Sequence, residues 1–188
     1  MRPSFFWAVT ALMLASVSRS GAAQNAPNTE AAIEVRKQFM ADLDSLQSKF
    51  VRLAEAFPAD KYSWRPAPGV RSVGEAFMHV ASEFYVFTPM AYGGQRSPVI
   101  QQGQGNFQKF ESMSSKDDVM KHLKEGFAYA KTQLNGMDAA QLAGTKKLFG
   151  RDMTIIETSL IMSGDLHEHL GQLIAYARMN GVKPPWSK

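Results

Sequence analysis

Four stretches of this 188-residue sequence place apolar side chains at three- and four-residue steps, the spacing that aligns one face of an α-helix. The first runs from about Thr29 to Phe57 through Ile33, Phe39, Met40, Leu43, Leu46, Phe50, Leu53 and Ala54, and Pro58 closes it. The second opens on Ser72-Val73-Gly74-Glu75, a capping box in which two side chains satisfy orphan backbone donors. It carries Phe77, Met78, Val80, Ala81, Phe84 and Phe87 to about Pro89–Tyr92, where Gly93-Gly94 stops it. The third is capped by Ser114 or Ser115 and has its stripe at Val119, Met120, Leu123, Phe127, Ala130 and Leu134. The fourth begins with another capping box, Thr154 to Glu157, and ends at Asn180-Gly181. The spacing therefore predicts an all-α chain packed as a four-helix bundle.

The connections differ in character. Pro58–Gly69 holds three prolines with Tyr62 and Trp64 and reads as an ordered segment pinned by aromatics. Gln95–Phe107 reads as a loop at the rim of a cleft. Met137–Gly150 contains the short segment Asp138–Leu142 and then a brief extended piece, Lys146–Phe149.

Residues 1–23 do not fit the bundle. Arg2, the apolar run Phe5–Ala15 and the small residues Gly21-Ala22-Ala23 are the three parts of a secretory signal peptide. The run is too short for a membrane-spanning helix, so the reading is an exported chain, periplasmic or secreted, without a stable membrane anchor. Cleavage after Ala23 takes two positive charges and no acids from a formal +4, leaving +2 on residues 24–188. A domain so near neutrality has no electrostatic footprint for nucleic acid. With no cysteine, the chain has no disulfide scaffold, zinc ribbon, thiol nucleophile or lipidated cysteine.

Candidate chemistry rests on few residues. The histidines are His79, His122, His167 and His169. On the fourth helix, Asp165 and His169 lie about 40° apart, whereas His167 is about 160° from His169. Asp165 and His169 can reach one ion together; His167 and His169 cannot. With His79 from a facing helix they make two imidazoles and one carboxylate, a set suited to Zn, Ni or Fe. The plainer alternative is an ordinary helix pair at Asp165 and His169, worth about 0.2–0.5 kcal/mol, beside structural histidines. His122, between Lys121 and Lys124, reads as part of a solvated face. Glu83, one turn after His79, reads as exposed, with a fourth-ligand or supporting role as the alternative. A Ser-His-Asp triad using Ser82 or Ser163 lacks a strained turn and an oxyanion hole.

The segment from Asp165 to Leu173, Asp-Leu-His-Glu-His-Leu-Gly-Gln-Leu, resembles the last-helix signature of the DinB family, His-x-x-x-His-Arg-Gly-Gln. The connection Pro58–Pro66 and the stretch Arg71–Val80 are similar to that family's first connection and second-helix histidine. The resemblance runs from about Ile33 to Trp186. It implies a four-helix bundle with long crossover connections and a divalent metal, often Zn or Ni, held by three histidines. Aligned on Gly171-Gln172, the ligand positions fall on His79, Asp165 and His169. Asp165 thus stands where the family has a histidine, and Leu170 where it has an arginine.

Assayed relatives use low-molecular-weight thiols as transferases and isomerases, and others are described as metal-dependent hydrolases. An exported protein does not meet a reduced cytosolic thiol pool, which weighs against the transferase role. The expectation is a metal-dependent enzyme, hydrolase before transferase, acting on a small molecule through a metal-activated water or nucleophile. The two loops Pro58–Gly69 and Gln95–Phe107 would shape its pocket. The alternative is a non-catalytic exported binding module with a degenerate metal site. Pairing into a homodimer is open to either.

Overall fold

The computed structural model describes residues 29–100 and 104–187, so residues 1–23, expected from the sequence to be a signal peptide, lie outside the described residues. Four long helices form the bundle: α1 (Thr29–Ala56), α2 (Val73–Tyr92), α4 (Lys116–Asn135) and α6 (Ile155–Met179). Between them stand a single 3-10 turn at Ala59–Lys61, two short helices, α3 (Gln104–Ser112) and α5 (Ala139–Ala143), and a hairpin of β1 (Thr145–Leu148) and β2 (Arg151–Thr154). All four predicted long helices are present, and both predicted capping boxes form. Ser72 Oγ accepts from the Glu75 amide at 3.2 Å while Glu75 accepts from the Ser72 amide at 2.7 Å. Thr154 and Glu157 do the same. No helix among the described residues is long and apolar enough to cross a membrane.

Helix α1 packs against α4 and α6, and α2 packs against the same two partners. Consecutive members α1 and α2 therefore sit across the bundle from one another, as do α4 and α6. Each diagonal step needs a crossover, which accounts for the long connections 57–72 and 136–154. The first is held as the sequence suggests. Tyr62 Oη donates to the Ala54 carbonyl at 2.7 Å, and Trp64 meets Tyr176 edge-on with ring centroids 5.5 Å apart. At the centre, Phe127 of α4 packs on Phe50 of α1 and Phe84 of α2.

Helix α2 is buried on nearly every side, from Val73 to Tyr92. Two neighbouring helices cannot cover such an element, and the chain supplies two further covers. One is α3, which was read as loop up to Phe107. Its residue Phe110 is buried against Tyr85 and against His122 of α4, at centroid distances of 5.8 and 4.8 Å. The other is the hairpin, registered Thr145↔Thr154 to Leu148↔Arg151, which buries Leu148 and Met153. Only the first strand was foreseen, as an extended piece.

The hairpin turn is Phe149-Gly150, with φ of 51° and 79°. Two-residue hairpin loops of this kind need positive φ at both central positions and favour Asn-Gly. A Phe there costs about 1–2 kcal/mol in Cβ–carbonyl repulsion. Phe149 is the one non-glycine residue with positive φ among those described.

Close backbone approach fixes how the covers sit. A Cβ on Gly74 would lie 2.2 Å from the Ser114 carbonyl oxygen, whereas one on Gly164, mid-α6, would meet nothing within 4 Å. Gly74→Ala should therefore destabilise by about 1–3 kcal/mol, although alanine is the better helix former. Gly164→Ala should stabilise by about 0.4–1 kcal/mol. Urea denaturation of both variants checks the contrast; equal effects of one sign would contradict this packing.

Candidate metal centre

The apposition of α2 and α6 brings His79 and His169 together, ring centroids 4.9 Å apart and nearly perpendicular. Between them lies Glu83, one helical turn after His79. Its Oε1 is 3.1 Å from His79 Nε2 and 3.5 Å from His169 Nε2. One ligand atom from each of the three lies within 4.8 Å of the others, and this His-His-Glu group could hold a metal ion. Glu83 was read as exposed, and that reading is corrected: it is 6% exposed, on the face of α2 turned to α6. A buried carboxylate is costly unless compensated, and here two imidazoles compensate it.

Asp165 lies at the edge of this group, its Oδ1 3.7 Å from His169 Nε2 and its side chain about half exposed, at 46%. The i, i+4 spacing thus puts it beside His169 as the helix geometry implies. His167 points the other way, donating from Nε2 to Asp42 of α1 at 3.0 Å. Asp42 also accepts from Ser163 Oγ at 2.6 Å. The serine therefore spends its proton on the acid rather than on a histidine base, which is not the order of a nucleophilic triad. Ser82 donates to the carbonyl of His79 at 2.6 Å.

His122 is buried at 6% exposure, not solvated as its lysine neighbours suggested, because α3 covers it with Phe110. Burial pushes its imidazole down, helped by Lys121 and opposed by Glu125.

A second layer orients the histidines. His79 Nδ1 faces Glu111 Oε1 of α3 at 2.6 Å, and Arg71 Nε donates to the other oxygen of Glu111 at 3.1 Å. His169 Nδ1 is 3.5 Å from Gln172 Oε1, and Gln172 Nε2 donates to Tyr176 Oη at 3.1 Å. Tyr176 is the residue against which Trp64 packs. The first connection therefore supports His169 and α3 supports His79. Neither Glu111 nor Arg71 was a candidate site residue in the sequence reading; the signal was a carboxylate on an unrecognised helix.

The electrostatics follow from this arrangement. Burial works against charge on His79, but hydrogen bonds to Glu111 and Glu83 outweigh it and raise the imidazole to about 9. With both ring nitrogens facing carboxylates, only the imidazolium can donate to both. His169 is raised chiefly by its hydrogen bond to Glu83, against burial. Burial would lift the Glu83 carboxyl, yet His169 and His79 hold it down at about 2. Asp165 is raised, by burial first and then by the charge on Glu83.

Glu83 Oε2 is buried and has no hydrogen-bond partner. A buried carboxylate whose Oε1 faces two imidazole nitrogens and whose Oε2 has no partner fits the donor chemistry of a divalent ion such as Zn. Next to this group a cavity opens, lined by α2, the hairpin and α6. The connections 58–69 and 95–107 do not line this cavity, although Pro98, Val99, Ile100 and Asn106 line another beside His122; Phe107 meets the His79 ring edge-on at 6.1 Å.

Comparison with solved structures supports the same fold. A DinB-like protein from Bacillus subtilis is similar with a TM-score of 0.61 at 23% identity, covering 78% of this chain and 93% of its own. A DinB-like protein from Bacillus cereus has a TM-score of 0.61 at 14% identity, covering 81% and 97%. Comparison with curated proteins gives no match. The family model of the DinB superfamily matches residues 42–173, a span that begins within α1 and takes in His79, Glu83 and His169. On that match the chain belongs to the DinB superfamily.

Proposed function

We propose that the protein is an exported, divalent-metal-dependent enzyme acting on a small molecule, a hydrolase before a transferase. The observation that carries this reading is the buried Glu83 carboxylate with an unpartnered oxygen, flanked by His79 and His169. These three residues would hold the ion, Zn or Ni by the donor set and the family resemblance, with Asp165 at its border. When bound, the ion supplies Lewis acidity and a water acidified toward neutral pH.

The chain's own residues do the rest. Glu111, fixed by Arg71, accepts from His79 Nδ1 and so holds the ring with Nε2 turned to Glu83. Gln172 and Tyr176 restrain His169 in the same manner from the other side. Asp165 lines the adjoining cavity with half its side chain open, and its raised carboxyl places it to take or return a proton there. The alternative, a binding module with a degenerate site, was motivated by Asp165 standing where relatives carry a histidine. Glu83 offers a third donor from the opposite helix, so that departure leaves a full set of three.

Three outcomes test the reading. The chain should be recovered in the periplasmic extract and begin at Gln24, read by intact mass; a chain confined to the cytoplasm with residues 1–23 retained would contradict export. The purified mature protein should carry about one Zn or Ni per chain by elemental analysis, and Glu83→Ala or His169→Ala should abolish it. Glu111→Gln should weaken retention by about 10- to 100-fold, as for other groups that orient a ligand. Failure of the wild type to retain Zn, Ni or Fe after reconstitution would sink the metal reading.

The pH dependence has a definite sign. His79, raised to about 9, is protonated at neutral pH in the metal-free protein and must lose its proton to bind an ion. Apparent affinity should therefore rise between pH 6 and 9, by about tenfold per unit for each proton displaced. Competition titration against a chelator across that range measures it.

A further inference from the structure

The cavity beside the centre has a volume of about 170 Å³. Its walls are Phe84 and Phe87 from α2, Leu148 and Phe149 from the hairpin, and Ile161 and Met162 from α6. Glu83 and Asp165 belong to it as well, so the carboxylates of the candidate centre form part of the same wall. An apolar cavity of about 150 Å³ accepts a benzene molecule. The space thus matches one ring or a branched aliphatic group of like size, and is too small for a nucleotide or a peptide.

A second observation singles out one wall. Phe149 occupies the turn position where Asn is favoured, with φ of 51°, and yet the residue is 65% exposed. Folding gains little by placing an aromatic there. Its ring lies 6.0 Å from that of Phe87, and both line the cavity. A strained backbone that carries an exposed ring to the edge of a cavity points to a use for the ring. Ile161, on α6, is likewise 43% exposed at this cavity.

We propose that this cavity is the substrate pocket and takes one compact apolar group, about the size of a single aromatic ring, with the substrate's polar reacting end against Glu83 and Asp165. This rests on the reading of His79, Glu83 and His169 as the reacting centre. Phe149 closes the pocket from the hairpin and sets the width of the group admitted; it is a specificity residue and takes no part in bond-making. Small polar molecules without such a group leave the walls uncovered and are poor ligands.

The test uses the mature protein, both reconstituted with Zn and stripped by EDTA, titrated with benzamide and, in parallel, with acetamide. Binding is followed by methyl NMR. Benzamide should bind saturably in both forms, in the low-millimolar range or tighter, shifting the methyls of Ile161, Met162 and Leu166. Acetamide should not. Phe149→Asn removes the ring and installs the favoured turn residue, so benzamide binding should weaken at least fivefold while the melting temperature holds or rises. Unsaturable benzamide binding, unchanged affinity in Phe149→Asn, or a lowered melting temperature in that variant would overturn the proposal. So would a dimer by sedimentation that Phe149→Asn dissociates, because the ring would then serve a second copy of the chain. Benzamide binding by a wild-type protein that takes up no Zn, Ni or Fe on reconstitution would sink the metal reading and keep the pocket. Metal retention without benzamide binding would do the reverse.

Discussion

The arrangement depends on one buried anion. Glu83 sits in the interface between α2 and α6, where an unpaired carboxylate would be strongly destabilising. It is tolerated because His79 and His169 approach the same oxygen from two helices. That requirement fixes how α2 and α6 can slide past one another, since a shift of a single residue would separate one imidazole from the acid. A bundle of Leu and Phe alone would leave this register to side-chain volume; here charge settles it.

The crossovers around the bundle serve the same point. Because α1 and α2 lie across from one another, the chain must traverse the end of the bundle between them, and that traverse carries Trp64 onto Tyr176 and Arg71 onto Glu111. The step from α2 to α4 is a neighbouring one, yet it too is long, because α3 is inserted to cover α2 and to deliver Glu111 to His79. His79 is thus restrained at its second nitrogen from α3, and His169 from its own helix by Gln172, whose partner Tyr176 is packed by Trp64 of the first connection.

How much of this was legible follows from which forces are local. Helix period, capping boxes and terminating glycines are local, and the four long helices were read with ends correct to within a residue or two. Helix α3 was not read at all, because its sequence, with Gly105 and several polar residues, has weak intrinsic preference; Phe110 docking on Tyr85 and His122 holds it in place. The hairpin was half read because its turn uses Phe-Gly where Asn-Gly would have announced it, and because Thr154 both ends β2 and caps α6. At the site, the nearness of Asp165 to His169 was legible from helix spacing, and the pairing of His79 with them from the family resemblance. The burial of Glu83 was not. A glutamate on a helix is ordinarily solvated, and only the tertiary facing of α2 against α6 reverses that.

Two carboxylates flank the imidazoles, one turn after His79 on α2 and one turn before His169 on α6, and their environments drive them apart. Glu83, enclosed by both histidines, is held ionised; Asp165, half buried and facing the charge on Glu83, is pushed toward its neutral form. Like charges this close favour such a division, because ionising the second acid costs more than ionising the first. Both acids line the cavity; the longer glutamate also reaches between the rings, while the shorter aspartate stays half exposed. Under the metal reading proposed above, Glu83 supplies the third donor from the other helix, and Asp165 remains as a carboxyl group beside the apolar cavity.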